Sequence, residues 1–393
     1  MYLASSSMST LASSDGGAHA ARIADMGEGT RAIHAGLPAP SQGEPFLPGP
    51  VFAAPHHMCG EADADQFAYQ RHGNPTWTRY ERALAELEGG GEVTVFASGM
   101  AAAAGVLFSL LGPGQALVAP GDGYPGVRTL ARERLEPFGV DVRLVPTDDE
   151  QIATAIEGAR LVWVETPSNP GLDTCDITAL ADEVHAAGGL LAVDNTLATP
   201  LHQRPLDLGA DLSMASGTKY LSGHSDLLMG HVAVRDPLLA EALAGWRTQS
   251  GSTPGPFETW LAHRSLATLE LRLERQCANA QSVAEMLSKR DDVVALRYPG
   301  LPSDPAHAVA AAQMRRFGAV IGLTVGSRSR AERFLAASRL VFEATSFGGV
   351  HSTGERRARW GTDAVPEGFI RLSVGCEDLD DLLTDLSGAL DVA

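Results

Sequence analysis

Between residues 76 and 234 short apolar runs recur, most of them followed by a polar turn and a helix-like stretch. The runs cover 93–97, 116–119, 141–145, 161–164, 189–193, 211–215 and 230–234, and periodic segments at 100–111, 127–137, 149–156 and 176–187 separate several of them. A strand that is apolar throughout must be buried on both faces. When such strands alternate with helices, the result is an α/β fold on a mostly parallel sheet, here of seven strands. The pattern breaks at 249–256, where Gly251, Pro254, Gly255 and Pro256 cluster. Beyond it lie a long helical stretch at 257–287, strand candidates at 320–325 and 369–374, and a helix-like end at 379–390. With 393 residues, 44% of them hydrophobic, the chain can build one large core and a smaller C-terminal α/β domain. We therefore divide it into segments 1–25, 26–75, 76–255 and 256–393, and read the first, rich in Ser, Ala and Gly, as a disordered leader.

The formal net charge of -18 disfavours nucleic acid and anionic membranes as partners, since both are repelled at long range. No apolar stretch is long enough to span a bilayer without Gly, Pro or charge, which points to a soluble protein. Cys59, Cys175, Cys277 and Cys376 are scattered and form no CxxC pair, which fits a reducing cytoplasm better than a disulfide scaffold. His56, His57 and Cys59 invite a metal reading, but they are nearly consecutive and no second cluster completes a site, so no metal is expected.

In open α/β sheets ligands bind beyond the carboxyl ends of the strands. Five such ends are unusually polar: Ser98-Gly99-Met100, 121–124, 165–170, Asp194-Asn195-Thr196 and 216–219. Their convergence on one site is the expectation that carries the rest.

Lys219 follows Ser216, Gly217 and Thr218 at a strand end. Most lysines are merely exposed, but hydroxyls and bare backbone beside an amine can hold a phosphate while the amine reaches an aldehyde on the same cofactor. Asp194 ends an apolar run and either caps the next turn or pairs with a protonated pyridine nitrogen; Lys219 some two dozen residues later favours the second. Ser98-Gly99-Met100 opens a helix, whose free N–H groups suit phosphate, although a Ser–Gly pair is also a common cap. Tyr124 sits in a Gly-rich setting that would let it lie flat over a ring. Arg371, inside an apolar run, either satisfies an internal carboxylate or forks a substrate carboxylate.

These elements, in this order, resemble the Cys/Met-metabolism family of pyridoxal-phosphate enzymes, which includes cystathionine γ-lyase, γ-synthase, β-lyase and methionine γ-lyase. The matching stretches include 30–36, 69–71 with 74–76, 98–100, 165–170, 193–196, 216–220, 223–226, 298–301, 346–349 and 370–375. The resemblance implies the aminotransferase-like fold called fold type I, with pyridoxal 5'-phosphate as cofactor. It implies that Lys219 binds the cofactor as a Schiff base and shuttles protons, that Asp194 pairs with the ring nitrogen, and that Tyr124 stacks on the ring and helps catalysis. Gly99, Met100, Ser216 and Thr218 would hold the phosphate. Tyr69 and Arg71, in the arm 26–75, would complete that site from a neighbouring subunit within a homotetramer built as a dimer of active dimers. Asn169, Ser346 and Arg371 would hold the substrate carboxylate and the cofactor's phenolic side.

The overall pattern is most similar to cystathionine γ-lyases, which release cysteine, 2-oxobutanoate and ammonia from cystathionine. Methionine γ-lyases usually carry a Cys two positions after the stacking Tyr, where this chain has Gly126. A methionine γ-lyase, a cystathionine γ-synthase and an inactive cofactor-binding scaffold are the alternatives. One segment departs from the family pattern: His351 to Trp360 replaces an acidic residue and a His-Pro…Met-Thr-His run, and it brings Arg356, Arg357 and Arg359 towards the substrate pocket. We expect that basic patch to favour a distal carboxylate.

Overall fold

The computed structural model describes residues 25–58, 60–61 and 67–393; the expected leader, except for Asp25, lies outside them, as does Cys59. Each expected apolar run forms a strand: β1 Glu92–Phe96, β2 Ala116–Pro120, β3 Asp141–Val145, β4 Ala159–Glu165, β5 Leu190–Asp194, β6 Leu212–Ala215 and β7 Gly230–Val234. They make one seven-stranded sheet in the order β1-β7-β6-β5-β4-β2-β3. Strand β7 runs antiparallel to both of its neighbours, and the pairings among β2 to β6 are parallel.

Both faces of this sheet are covered, as uninterrupted apolar strands require. On one side Phe96, Leu117, Leu161, Trp163 and Met214 pack with Val106 and Leu107 of the helix Gly99–Leu110 and Leu243 of the helix Pro237–Ser250. On the other, Val118, Val162, Val164 and Val193 meet Ile152, Leu180 and Val184 from the helices Asp149–Ala155 and Ile177–Ala186. These helices begin where short polar side chains take up orphan amides: Ser98 accepts from Ala101 N–H, Asp148 from Gln151, Asp176 from Ala179 and Asp236 from Leu238.

The second sheet has five strands, where two are evident in the sequence: β8 Val293–Arg297, β9 Val320–Val325, β10 Phe342–Glu343, β11 Thr353–Arg356 and β12 Phe369–Ser373, ordered β10-β11-β12-β9-β8. The reasons for the difference are local. Strand β8 is largely solvent-facing, β10 is two residues long, and β11 reads Thr-Gly-Glu-Arg, which has no apolar pattern. The expected long helix at 257–287 is two helices, Pro256–Leu266 and Leu269–Leu287. The buried Arg272 holds the break open, its Nη2 donating to Ser265 O and its Nε to Thr268 Oγ1.

Candidate active site

The polar ends of β1, β2, β4, β5 and β6 do converge. Residues from all five line one cavity of about 430 Å³, closed on the far side by Thr345, Ser346, Phe347, Arg357 and Arg371 from the second sheet and its loops. A larger groove of about 810 Å³ lies among residues 32–47, His263, Arg264 and Ala267, but its lining is mostly apolar and brings together no comparable set of titratable groups. Chemistry belongs to the first cavity.

Lys219 projects into it. Its Nζ donates to Ser346 Oγ at 2.5 Å and lies 5.0 Å from the centre of the Phe347 ring. Burial pushes the amine down to about 8, and the charge of Arg371 adds to that fall. At neutral pH this lysine is therefore far easier to deprotonate than a surface one.

Asp194 ends β5 and is buried. Among the described residues its bonds, from Thr196 N–H and Thr196 Oγ1, fall on Oδ1, which leaves Oδ2 for a ligand. Burial raises its pKa despite those bonds, so a cationic partner in the cavity would meet a carboxylate short of compensation. Beside it, in register on β4, Glu165 accepts the amide of Tyr124 through Oε2 at 2.8 Å. Burial and the neighbouring Asp194 hold Glu165 well above the usual carboxylate range. This places the backbone of Tyr124 while its ring remains about half-exposed at the cavity mouth.

At the helix Gly99–Leu110 the amide of Ala102 makes the first intrahelical bond, to Ser98 O, so the amides of Gly99 and Met100 are left for another acceptor. A Cβ added to Gly99 would lie 2.7 Å from Cβ and Oγ of Ser216, so the bare backbone is what lets these two strand ends approach. Ser216 and the helix N-terminus line the same cavity and together could hold an anion. Thr218 also lines the cavity, but its hydroxyl donates to Met229 O and accepts from Met229 N–H, which leaves Ser216 as the freer hydroxyl.

Arg371 lies midway along β12 and is 4% exposed. Its Nη1 donates to Asn169 Oδ1 at 2.8 Å, and its Nη2 to Ser346 O at 3.1 Å and Glu355 Oε2 at 2.8 Å. Burial pushes it down to about 10, with the charge of Arg357 second among the causes. Of the two alternatives for Arg371, the internal carboxylate is present, and it is Glu355.

Tyr69 and Arg71 are not among the lining residues. Tyr69 is exposed, and Arg71 donates to Thr248 O on the same subunit. Of the expected basic patch, only Arg357 reaches the cavity. Arg356 pairs with Glu367 and Glu332, and Arg359 with Glu343. Arg357 itself is neutralised by Glu355 and Asp363, so the patch presents no free charge to a distal carboxylate. Sequence reasoning missed the roles of Thr196, Glu165, Phe347 and Glu355. The first two lie within motifs already notable for polar residues at strand ends, whereas Glu355 carries no signal of its own.

The donor set thus offers an amine of lowered basicity, an anion cradle, and a buried carboxylate and a buried arginine at separate positions in the cavity, and pyridoxal phosphate fits each of its own requirements. The Cys/Met metabolism PLP-dependent enzyme model matches residues 51–391. A Streptomyces coelicolor protein with a provisional cystathionine gamma-lyase name is 58% identical over 93% of this chain and 94% of its own. The cystathionine gamma-synthase of Mycobacterium tuberculosis is 40% identical over 93% and 97%. Among solved structures, CalE6 of Micromonospora echinospora superposes with a TM-score of 0.87 at 40% identity, over 93% of this chain and 99% of that one. With the family model spanning most of its length, the chain belongs to the PLP-dependent enzymes of cysteine and methionine metabolism.

Proposed function

We propose that the protein is a carbon–sulfur lyase of the cystathionine γ-lyase type, forming cysteine, 2-oxobutanoate and ammonia from cystathionine. One observation carries the reading: the buried amine of Lys219, its basicity lowered by desolvation, shares a cavity with buried Asp194 and buried Arg371. When bound, the cofactor supplies an electron-accepting ring that takes up the charge left by a departing Cα proton.

The residues of the chain divide the remaining work. Gly99, Met100 and Ser216 would hold the phosphate, with Thr218 beside them, and Asp194 would accept from the ring nitrogen. Lys219 would attach the cofactor and, once displaced by the substrate amine, take the Cα proton on Nζ; Ser346 Oγ keeps that amine over the site. Asn169 and Arg371 would fork the substrate carboxylate. γ-Elimination requires a second proton from Cβ before sulfur leaves. Tyr124, positioned by Glu165, is the candidate to assist that departure.

Tyr69 and Arg71, exposed here and away from this chain's own cavity, would complete the phosphate site of a neighbouring subunit in a homotetramer. A cytoplasmic location agrees with the separated, unpaired Cys175, Cys277 and Cys376, and no helix among the described residues is long and apolar enough to cross a membrane.

Cystathionine is preferred over methionine because of Gly126 and the 58% identical relative. A Cβ at Gly126 would lie 2.6 Å from Tyr124 Cε1 and 2.8 Å from Met100 Sδ, so the Tyr124 ring fills the space a cysteine would need. The competing methionine γ-lyase reading draws on CalE6, described once as a methionine gamma lyase and once as a cystathionine gamma lyase. Product analysis with L-cystathionine decides: cysteine with 2-oxobutanoate supports the proposal, and homocysteine with pyruvate makes the enzyme a β-lyase. Methanethiol from methionine with no cystathionine turnover transfers the assignment to methionine γ-lyase. Condensation of cysteine with an activated homoserine would make it a synthase, and a cofactor absorbance indifferent to all amino acids would leave only a scaffold.

A further inference from the structure

Glu355 and Arg371 stand directly opposite each other on the antiparallel strands β11 and β12. The Glu355 side chain is buried, and its Oε2 accepts from two guanidiniums at once, Arg371 Nη2 at 2.8 Å and Arg357 Nη1 at 2.9 Å, while Oε1 accepts from Trp360 Nε1 at 2.7 Å. Arg357 is gripped from its other side by Asp363 Oδ2, through Nε at 2.8 Å and Nη2 at 2.6 Å. Asp363 in turn receives Arg128 Nη2 at 3.2 Å, and Arg128 also donates to Gly121 O. Arg128 belongs to the helix Pro125–Leu130, which starts directly after Tyr124. An unbroken chain of charge-assisted bonds thus runs from the loop of Tyr124, through Asp363, Arg357 and Glu355, to Arg371.

Two buried guanidiniums sharing one carboxylate oxygen repel each other unless that carboxylate remains between them. Removing its charge sets Arg357 against Arg371 and loosens the latter from Asn169 and Ser346. The loss of position outweighs the gain in free positive charge, because a fork recognises a carboxylate through two aligned donors rather than through charge alone. We propose that Glu355 is a positioning residue for substrate-carboxylate recognition, holding Arg371 in its fork through the bridge to Arg357 and Asp363. The proposal rests on the reading of Arg371 as the carboxylate site.

The test compares glycine with methylamine, which lacks the carboxylate, as ligands of the cofactor-loaded enzyme. Affinity is read from the shift in the cofactor's visible absorbance. The ratio of the two affinities isolates carboxylate recognition from cofactor binding and from chemistry. Glu355→Gln, nearly isosteric, is expected to lower the glycine-to-methylamine ratio at least tenfold with methylamine affinity unchanged. Asp363→Asn should lower it in the same direction by a smaller factor, and decides the matter if the first variant does not retain cofactor. Arg359→Ala, on the same segment but ion-paired with Glu343 outside the cavity, should leave the ratio as it is. Arg371→Lys, measured alongside, should abolish the preference. If it does not, the carboxylate site lies elsewhere and both readings fall. If Arg371→Lys abolishes the preference while Glu355→Gln and Asp363→Asn stay within twofold of wild type, or raise it, Glu355 is not a positioning residue and only this inference is overturned.

Discussion

The amine of Lys219, at the end of the large sheet, donates to the hydroxyl of Ser346, which belongs to the second sheet's loops and sits in the left-handed backbone region at φ 75°. A serine at positive φ is uncommon, and such conformations persist where the surroundings over-determine them. Here the carbonyl of the same residue accepts from Arg371, so one residue ties the reactive amine to the candidate substrate fork.

This bond makes Ser346→Ala and Lys219→Ala separable. Replacing Lys219 removes the proton acceptor itself and should cut turnover by at least about a thousandfold. Ser346→Ala keeps the amine but frees it, and should lower kcat roughly tenfold with a smaller change in KM, the scale of one hydrogen bond to a charged group. Steady-state kinetics on both variants, with cofactor content checked by absorbance, distinguishes these outcomes.

Asp194→Asn tests the carboxylate reading of that position. The amide keeps the shape and can still accept from Thr196, but it forfeits the charge that a protonated ring nitrogen needs. Cofactor affinity should fall roughly tenfold to a hundredfold, the range for a hydrogen bond to a charged partner. A fluorescence titration of the cofactor-free protein measures it, and an unchanged dissociation constant would refute the pairing.

Gly126→Ala should displace the ring of Tyr124. The added carbon would meet Tyr124 Cε1 at 2.6 Å and Met100 Sδ at 2.8 Å. Because the Tyr124 ring is partly exposed and the Met100 side chain is flexible, moving them should cost about 1 kcal/mol, the low end for overpacking. Since the Tyr124 ring faces the cavity mouth, part of that cost should appear as reduced kcat as well as a lower Tm.

His202 provides a pH dependence with a definite sign. Burial, then the nearby charges of Arg316 and Arg315, push its ring down to about 4 in the folded protein. The unfolded chain takes up the proton near pH 6.5, so the folded state loses stability as pH falls from about 6.5 towards 4, at up to about 1.4 kcal/mol per unit. Urea midpoints measured across this interval should fall less steeply for His202→Gln than for the wild type.

The large sheet could be read from the sequence because most of its strands are dominated by apolar residues, as double-sided burial demands, with the edge strand β3, Asp-Val-Arg-Leu-Val, the most polar of them. The same rule explains what could not be read. Strand β11 is polar because Glu355 and Arg356 face charged partners, so hydrophobic periodicity is silent there. The basic look of 356–359 misled for a related reason: a charge along the chain does not reveal the carboxylate that folding places beside it, and Glu332, Glu343, Glu367 and Asp363 absorb all three arginines.

By itself, the sequence determined the α/β class, the family resemblance and the strand ends where Lys219, Asp194, Tyr124 and Ser98-Gly99-Met100 reside, because strand periodicity and turn chemistry are local. Only the tertiary structure decided that Ser346 receives the Lys219 amine, that Glu165 sets the backbone of Tyr124, and that Arg371 shares Glu355 with Arg357. These pairings depend on sheet register and on contacts between groups far apart in the chain. No local pattern encodes which two charged side chains will meet once water is excluded between them.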